Sequence, residues 1–265
     1  MDRIKKATAR FVCVILFIPI LLTPENHPFA SDKEQLVISF LNIPDGEATL
    51  IQTSEGDNIL INTGSTYSLD NLINQLNQLH VKKINSIILT NQTDAYQGNL
   101  NHLLNNYNVE TVITAVKTEH LIDLIDKQIV KEWKKSNDYS LSKHLNCYVH
   151  DTTEQGEMTI SIMYGKNSIL YMGFSENPTL QSIIEQTDRK PDIIKIPNFA
   201  QGDSPSEQLL KDIDPHISII FHIKSGKLNR SLIERLNESW IDVYQLKRVG
   251  TTIIQMNLQD YQIIS

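Results

Sequence analysis

The side chains able to do chemistry gather in and around one loop. Residues 86–99 read SIILTNQTDAYQGN. The β-branched and apolar run Ile87, Ile88 and Leu89 predicts a buried strand. Thr90 then opens a polar loop carrying Asn91, Gln92, Thr93, Asp94 and Tyr96, and Gly98 leads into a Leu-bearing segment of helical character. Loops at the carboxyl ends of strands are where α/β proteins place their sites. Amides, a hydroxyl and a phenol suit hydrogen bonding to a ligand. They do not suit zinc, which takes imidazole, thiolate or carboxylate donors at about 2 Å.

The acids Asp45, Glu47, Asp57 and Asp94 would suit calcium or magnesium if they converged. The simpler reading makes them turn acids facing water, because turn geometry alone explains Asp beside Gly. His80, His102, His120, His144, His150, His216 and His222 include no pair at metal-binding spacing and are read as structural. Ser175 and Ser204 have no evident base, and there is no Gly-x-Ser-x-Gly or phosphate-cradling loop.

The elements that position this loop follow from residues 31–265, a length that supports one globular domain with a sizeable core. Residues 1–30 stand apart: Arg3, Lys5, Lys6 and Arg10 precede an apolar run from Phe11 to Leu22, and Pro28-Phe29-Ala30-Ser31 supplies small residues for cleavage. This is a secretory signal layout. The run is shorter than the roughly 20 residues of a spanning helix and contains Pro19, which weighs against a permanent membrane anchor. Export with cleavage near Ala30 is expected, leaving the protein secreted or at the outer face of the cytoplasmic membrane, with membrane contact only through this segment.

Removing residues 1–30 removes four basic and two acidic groups and takes the net charge from −7 to −9. An acidic chain repels phosphate backbones, so direct nucleic-acid binding is not expected. Cys147 would be the sole remaining cysteine. No internal disulfide is then available, and a half-buried structural thiol is expected.

Residues 36–62 hold apolar runs at Leu36–Ile43, Ala48–Thr53 and Asn58–Asn62, separated by Pro44-Asp45-Gly46 and Ser54-Glu55-Gly56-Asp57, and predict an antiparallel meander. Leu69, Leu72, Ile73, Leu76 and Leu79 predict an amphipathic helix over Ser68–His80 with Ser68 as cap. A strand is expected at 109–114, a helix over Thr118–Lys135, a polar loop over Asn137–Lys143, and strands near Asn146–His150, Met158–Tyr164 and Ser168–Met172. Strands at Asp192–Pro197 and Ile217–Ile223, helices at Pro205–Asp214 and Ser231–Ser239, and strands at Ile241–Leu246 and Thr251–Met256 complete the order.

Thr90-Asn91-Gln92-Thr93-Asp94-Ala95-Tyr96-Gln97-Gly98 resembles the frame of Thr-His-x-His-x-Asp-His-x-Gly in the metallo-β-lactamase superfamily. FLNIPDGEATLIQT followed by NILINTG resembles the opening of the extracellular hydrolase domain of the DNA-uptake competence protein ComEC, F-x-x-V-G-Q-G-D-A-x-L-I followed by L-I-D-T-G. The resemblance runs over roughly residues 36–257 and implies a mixed α/β (α+β) fold, a four-layer αββα sandwich.

Active members of the family bind zinc, and the resemblance places Asn91, Thr93, Ala95 and Tyr96 at the four ligand positions of the first motif. Phe174 stands at the aspartate that bridges the metals, and Asn198 and Phe199 stand where the family has His-His. Asp94 lies one residue out of register. The implied site, Asn91, Thr93, Asp94, Tyr96, Phe174, Asn198 and Phe199, is thus a degenerate one without a metal or other cofactor. The resulting expectation is an exported ComEC-like protein that has lost catalysis and binds an unknown protein or small-molecule ligand, with an accessory role in DNA uptake suggested by the family. The alternative is a metal-dependent hydrolase of phosphodiesters or esters with a site rebuilt around Asp45, Glu47 and Asp94.

Overall fold

The structure, a computed structural model, describes residues 34–119, 121, 129–175, 178 and 180–264. The proposed export segment, residues 1–30, lies outside them, as do His120 and residues 122–128 of the helix expected over Thr118–Lys135. Among the described residues no helix is long and apolar enough to cross a membrane.

Period-two alternation builds two sheets with two buried faces each. The first comprises β1 (Leu36–Phe40), β2 (Thr49–Thr53), β3 (Asn58–Ile61), β4 (Lys83–Ile88), β5 (Asn108–Thr114), β6 (Val130–Glu132), β14 (Thr252–Met256) and β15 (Tyr261–Ile264), in the order β15-β14-β1-β2-β3-β4-β5-β6. The second comprises β7 (Asp138–Ser142), β8 (Leu145–Thr152), β9 (Met158–Tyr164), β10 (Asn167–Tyr171), β11 (Ile193–Lys195), β12 (Ile217–Ile220) and β13 (Asp242–Gln245), in the order β13-β12-β11-β10-β9-β8-β7.

Leu36, Ile38 and Phe40 of β1 and Ile169 and Tyr171 of β10 point into the core between the sheets. Their alternates face outward to helices. Leu50 and Leu60 meet Leu72 and Leu76 of α1 (Leu69–Gln78) and Leu103 of α3 (Leu100–Asn106). Leu170 and Ile194 meet Ile183 of α4 (Leu180–Thr187), Leu209 of α5 (Glu207–Ile213) and Leu232 of α6 (Arg230–Glu238). The result is helix, sheet, sheet, helix.

The expected 36–62 meander is present: β1 pairs antiparallel with β2 and β2 with β3. From there the chain runs parallel through β4 and β5, which brings the ends of β3 and β4 to one edge of the sheet.

Five expectations change. Ser68 precedes α1, but its Oγ does not cap the helix; it donates to the Asp45 carbonyl at 2.6 Å and accepts the Asp45 N–H at 2.9 Å. The Thr118–Lys135 helix cannot extend to Lys135, because Val130–Glu132 pair parallel with β5, whose open edge outcompetes the apolar spacing. Trp133 therefore leaves the supposed helix face and stacks on Tyr139 in the inter-sheet core, with centroids 4.6 Å apart. The supposed loop Asn137–Lys143 contains β7, whose Tyr139 and Leu141 alternate onto that core. Finally, β15 adds a strand beyond the predicted end at Met256. Cys147 is fully rather than half buried, and burial pushes its thiol up and away from reactivity.

Candidate functional site

Five loops meet at one end of the two sheets. The one after β4 supplies Asn91–Tyr96, the β8–β9 turn supplies Glu157, those after β11 and β12 supply Asn198–Gly202 and Ile223, and the one after β10 stands behind them, where Ser175 meets Asn198. They bound a cleft of ≈ 550 Å³. Asn91, Thr93, Tyr96, Asn198 and Phe199 line it together.

Two predicted members stand outside. Asp94 opens the short helix α2 (Asp94–Gln97), where its Oδ1 accepts the Thr66 N–H at 3.4 Å, and it borders a separate depression with Gln92 and Gln97. A residue one step out of register on a loop turning into a helix points away from its neighbours. Phe174 is buried and does not line the cleft. The close approach of Gly173 to its neighbours fixes this: a Cβ there would lie 2.1 Å from the Met158 carbonyl oxygen.

Glu157 and Gln201 also line the cleft and were not anticipated. No spacing marks Glu157, a turn residue like any other until the β8–β9 turn folds beside Asn91. Asn91 Nδ2 donates to Glu157 Oε1 at 3.1 Å, while Thr153 Oγ1 donates to Oε2 at 3.2 Å. Asn91 Oδ1 accepts the Thr93 N–H at 2.9 Å, and Asn198 Nδ2 donates to Ser175 Oγ at 2.7 Å.

Asn198, Phe199 and Ala200 form a turn with φ of 47°, 55° and 57°. Left-handed backbone costs about 1–2 kcal/mol per L-residue, and strain of this kind gathers at functional sites. Here it turns Phe199 against Tyr96, with ring centroids 5.4 Å apart.

The Tyr96 hydroxyl is buried and has no hydrogen-bond partner among the described residues. Burial first, then the carboxylates of Glu47 and Glu157, push it well above the usual phenol range. It is thus a neutral, unmet donor. A buried unsatisfied hydroxyl costs about 1–3 kcal/mol of desolvation. Tyr96→Phe is accordingly expected to leave stability unchanged or raise it by about 1 kcal/mol, read from the urea midpoint; a loss of that size would mean that the hydroxyl is already paired.

Beneath the cleft lies a second, sealed polar layer. Glu47 precedes β2 and is wholly buried, contrary to its reading as a turn acid facing water. Its Oε2 accepts from Lys195 Nζ at 2.9 Å, and Lys195 is itself fully buried at the end of β11. Its Oε1 accepts from Asn62 Nδ2 at 2.7 Å and from Tyr171 Oη at 2.9 Å. Asn62 in turn donates to Thr90 Oγ1 at 2.8 Å and accepts the Thr90 N–H at 2.8 Å. Lys195 Nζ also sits 4.5 Å from the Tyr171 ring centroid. Glu47 thereby ties the ends of β3 and β4 in one sheet to the ends of β10 and β11 in the other.

Gly46 makes room for this knot. Its φ is +96°, it joins His222 in a backbone bridge, and a Cβ would come within 2.3 Å of the Ala95 carbonyl oxygen.

No family model matches the sequence, and no curated protein matches it. Solved structures do resemble it. The metallo-β-lactamase fold protein YhfI of Bacillus subtilis superposes on 80% of this chain and 95% of its own, at a TM-score of 0.59 and 9% identity. A diphosphatase of the PhnP family covers 84% of this chain and 98% of its own, at 0.57 and 13%. CmlA, a diiron β-hydroxylase from Streptomyces venezuelae, covers 88% of this chain at 0.58 and 8%; the match takes in 54% of that protein, so this chain spans about half its length.

This chain has the metallo-β-lactamase fold. At such identities the likeness is one of fold alone.

The fold family implies a metal centre, and the donors here do not fit one. Asparagine, threonine, alanine, tyrosine and phenylalanine cannot supply the imidazole and carboxylate set that a zinc pair requires. Among the described residues no three His, Cys, Asp or Glu side chains converge as ligands. The acids named for a rebuilt site are separated as well: Glu47 is held by Lys195, Asp45 Oδ1 accepts the Lys224 N–H at 2.7 Å, and Asp94 borders another depression. Asp57 stays in the β2–β3 turn, with its N–H on Thr53 Oγ1. His222, just past β12, stands alone and is held below the usual imidazole range by burial and Lys247, against the pull of Asp45.

Proposed function

We propose that this protein is an exported metallo-β-lactamase-fold binding protein of the ComEC-like branch, in which the hydrolytic cleft has become a ligand cleft without a metal. The observation that carries the reading is Tyr96: an aromatic ring packed on Phe199 and a hydroxyl without a partner among the described residues, at the position that the resemblance assigns to a metal ligand. Asn91, Thr93 and Asn198 offer hydrogen bonds of both senses around it. Glu157 adds one carboxylate, and the Glu47–Lys195 pair holds the frame from below.

The ligand is a small molecule or an extended segment of a partner protein. The basic and apolar residues before Phe29 support export; an accessory role in DNA uptake is suggested by the family resemblance alone, and the acidic mature chain argues against direct DNA contact.

The reading is tested by turnover of a phosphodiester and an ester chromogenic substrate with the mature chain in zinc or manganese, with and without chelator. No turnover above buffer is expected. Turnover abolished by chelator would establish the hydrolase instead.

A further inference from the structure

A second, smaller cavity of ≈ 150 Å³ opens behind Phe199, and it shares Phe199, Gln201 and Ile223 with the main cleft. Its inner wall is apolar, made by Phe199, Ile220 and Phe221, and Leu228 lies at its edge with 40% of its surface exposed. Its remaining charged lining is cationic: Lys227 and Lys247 border it, both exposed, and no acid does. This is an unusual local balance in a chain of net charge −7.

The mouth is a built one. Gln201 Nε2 donates to the Ser225 carbonyl at 2.7 Å, and the Asn229 N–H donates to the Ala200 carbonyl at 2.8 Å. Together they pin the 225–229 loop to the left-handed turn at 198–200. Gly226, at φ +104°, lets the loop press on the Gln201 side chain, where a Cβ would come within 2.2 Å. His222 also borders the cavity, and burial and Lys247 hold its proton affinity below the ordinary imidazole range. The nearest acid acting on it, Asp45, is engaged by the Lys224 N–H and does not reach the lining. The fixed positive charge is therefore that of the two lysines.

We propose that this cavity is a binding site for a small monocarboxylate with an aromatic ring or branched aliphatic body, the apolar part against Phe199, Ile220 and Phe221 and the carboxylate at Lys227 and Lys247. The inference extends the binding reading above to a cavity that adjoins the main cleft through Phe199, Gln201 and Ile223, and it rests on that reading. A cavity of about 150 Å³ lined by apolar side chains holds one benzene-sized group. Two exposed lysines border the cavity, and their ammonium groups can swing to its mouth and hold a carboxylate by charge-assisted hydrogen bonds; a few polar groups around an apolar wall are the ordinary anatomy of a small-ligand site.

Three probes of one size test it on the mature chain by isothermal titration and amide chemical-shift perturbation: phenylacetate, neutral benzyl alcohol and cationic benzylamine. Phenylacetate is expected to bind with a Kd of about 1 mM or tighter, and the other two at least about tenfold more weakly. The exposed double substitution Lys227→Gln and Lys247→Gln is expected to weaken phenylacetate about tenfold and to leave benzyl alcohol unchanged. Ile220→Ala, which removes part of the apolar wall, is expected to weaken phenylacetate and benzyl alcohol alike. Equal affinity for the acid and the alcohol, phenylacetate affinity unchanged by the double substitution, or no binding of phenylacetate up to about ten times the expected Kd would each overturn the inference. Those failures leave the metal-free cleft standing, whereas stoichiometric metal in the same preparation would overturn the cleft reading itself.

Discussion

Lys195→Met is expected to destabilise the mature chain by about 3–5 kcal/mol, because it leaves the Glu47 carboxylate buried without its counter-charge. Both partners have no exposed side-chain surface, and the pair is closed by Asn62 and Tyr171 on the other carboxylate oxygen. Burial pulls the lysine's proton affinity down, and Glu47 pulls it back up. The lone carboxylate would keep two hydrogen bonds but lose its cation.

A domain of this kind has about 5–15 kcal/mol in total, so the single variant should unfold at a much lower urea concentration. Adding Glu47→Gln removes the orphaned charge and is expected to recover at least about half of the loss, since a buried pair contributes little over a neutral replacement of similar shape. A loss below about 1 kcal/mol in Lys195→Met would mean that the pair is not a desolvated ion pair. The experiment bears on function because these two residues hold the cleft's supporting strands in register across both sheets.

Stability should also fall with acid in a window that one residue sets. His150 on β8 is 7% exposed, with Nε2 2.7 Å from Ser161 Oγ and Nδ1 unpartnered. Burial pulls its proton affinity from the ordinary 6.5 down to about 4, against a smaller opposing pull from Asp151. The unfolded chain takes up that proton near pH 6.5, and the folded chain withholds it until about pH 4. Between those values the unfolded state binds more protons, so the stabilisation is complete above pH 6.5 and is lost as the pH falls to about 4.

The difference amounts to about 3 kcal/mol at 1.36 kcal/mol per pH unit. Urea midpoints measured from pH 7.5 to 3.5 should slope accordingly in the parent, and His150→Gln, which keeps a partner for Ser161, should flatten that part of the slope. An unchanged slope in the variant would assign the acid sensitivity to carboxylates instead.

Most of the scaffold was legible in the sequence because its signals are local. Alternation in Leu36–Phe40 and Met158–Tyr164, and helical spacing from Leu69 to Leu79, each decide an element without help from elsewhere. The misread segments at 130–132 and 138–142 share one cause. Val130–Glu132 and Asp138–Ser142 are short edge strands whose conformation is decided by a neighbour, β5 in one case and β8 in the other, and single-sequence periodicity carries no information about a neighbour.

The site divides in the same way. Asn91, Thr93, Tyr96, Asn198 and Phe199 were placed through motif frames that keep the lengths of strand and loop, and they meet. Glu157 reaches the cleft only because the β8–β9 turn crosses from the other sheet. Glu47 and Lys195, 148 residues apart, look like a turn acid and a strand lysine until the two sheets close on them. Asp94 shows the opposite error: a chemically attractive side chain that sits one residue away from pointing inward.

The central claim, a metallo-β-lactamase fold whose cleft no longer holds metal, is tested most directly by elemental analysis. Residues 32–265 would be dialysed against zinc, manganese and calcium, freed of loose ions, and checked for folding by circular dichroism in the same samples. A folded chain with no stoichiometric metal is the predicted result. Two metal ions per folded chain would contradict it and return the protein to the hydrolases.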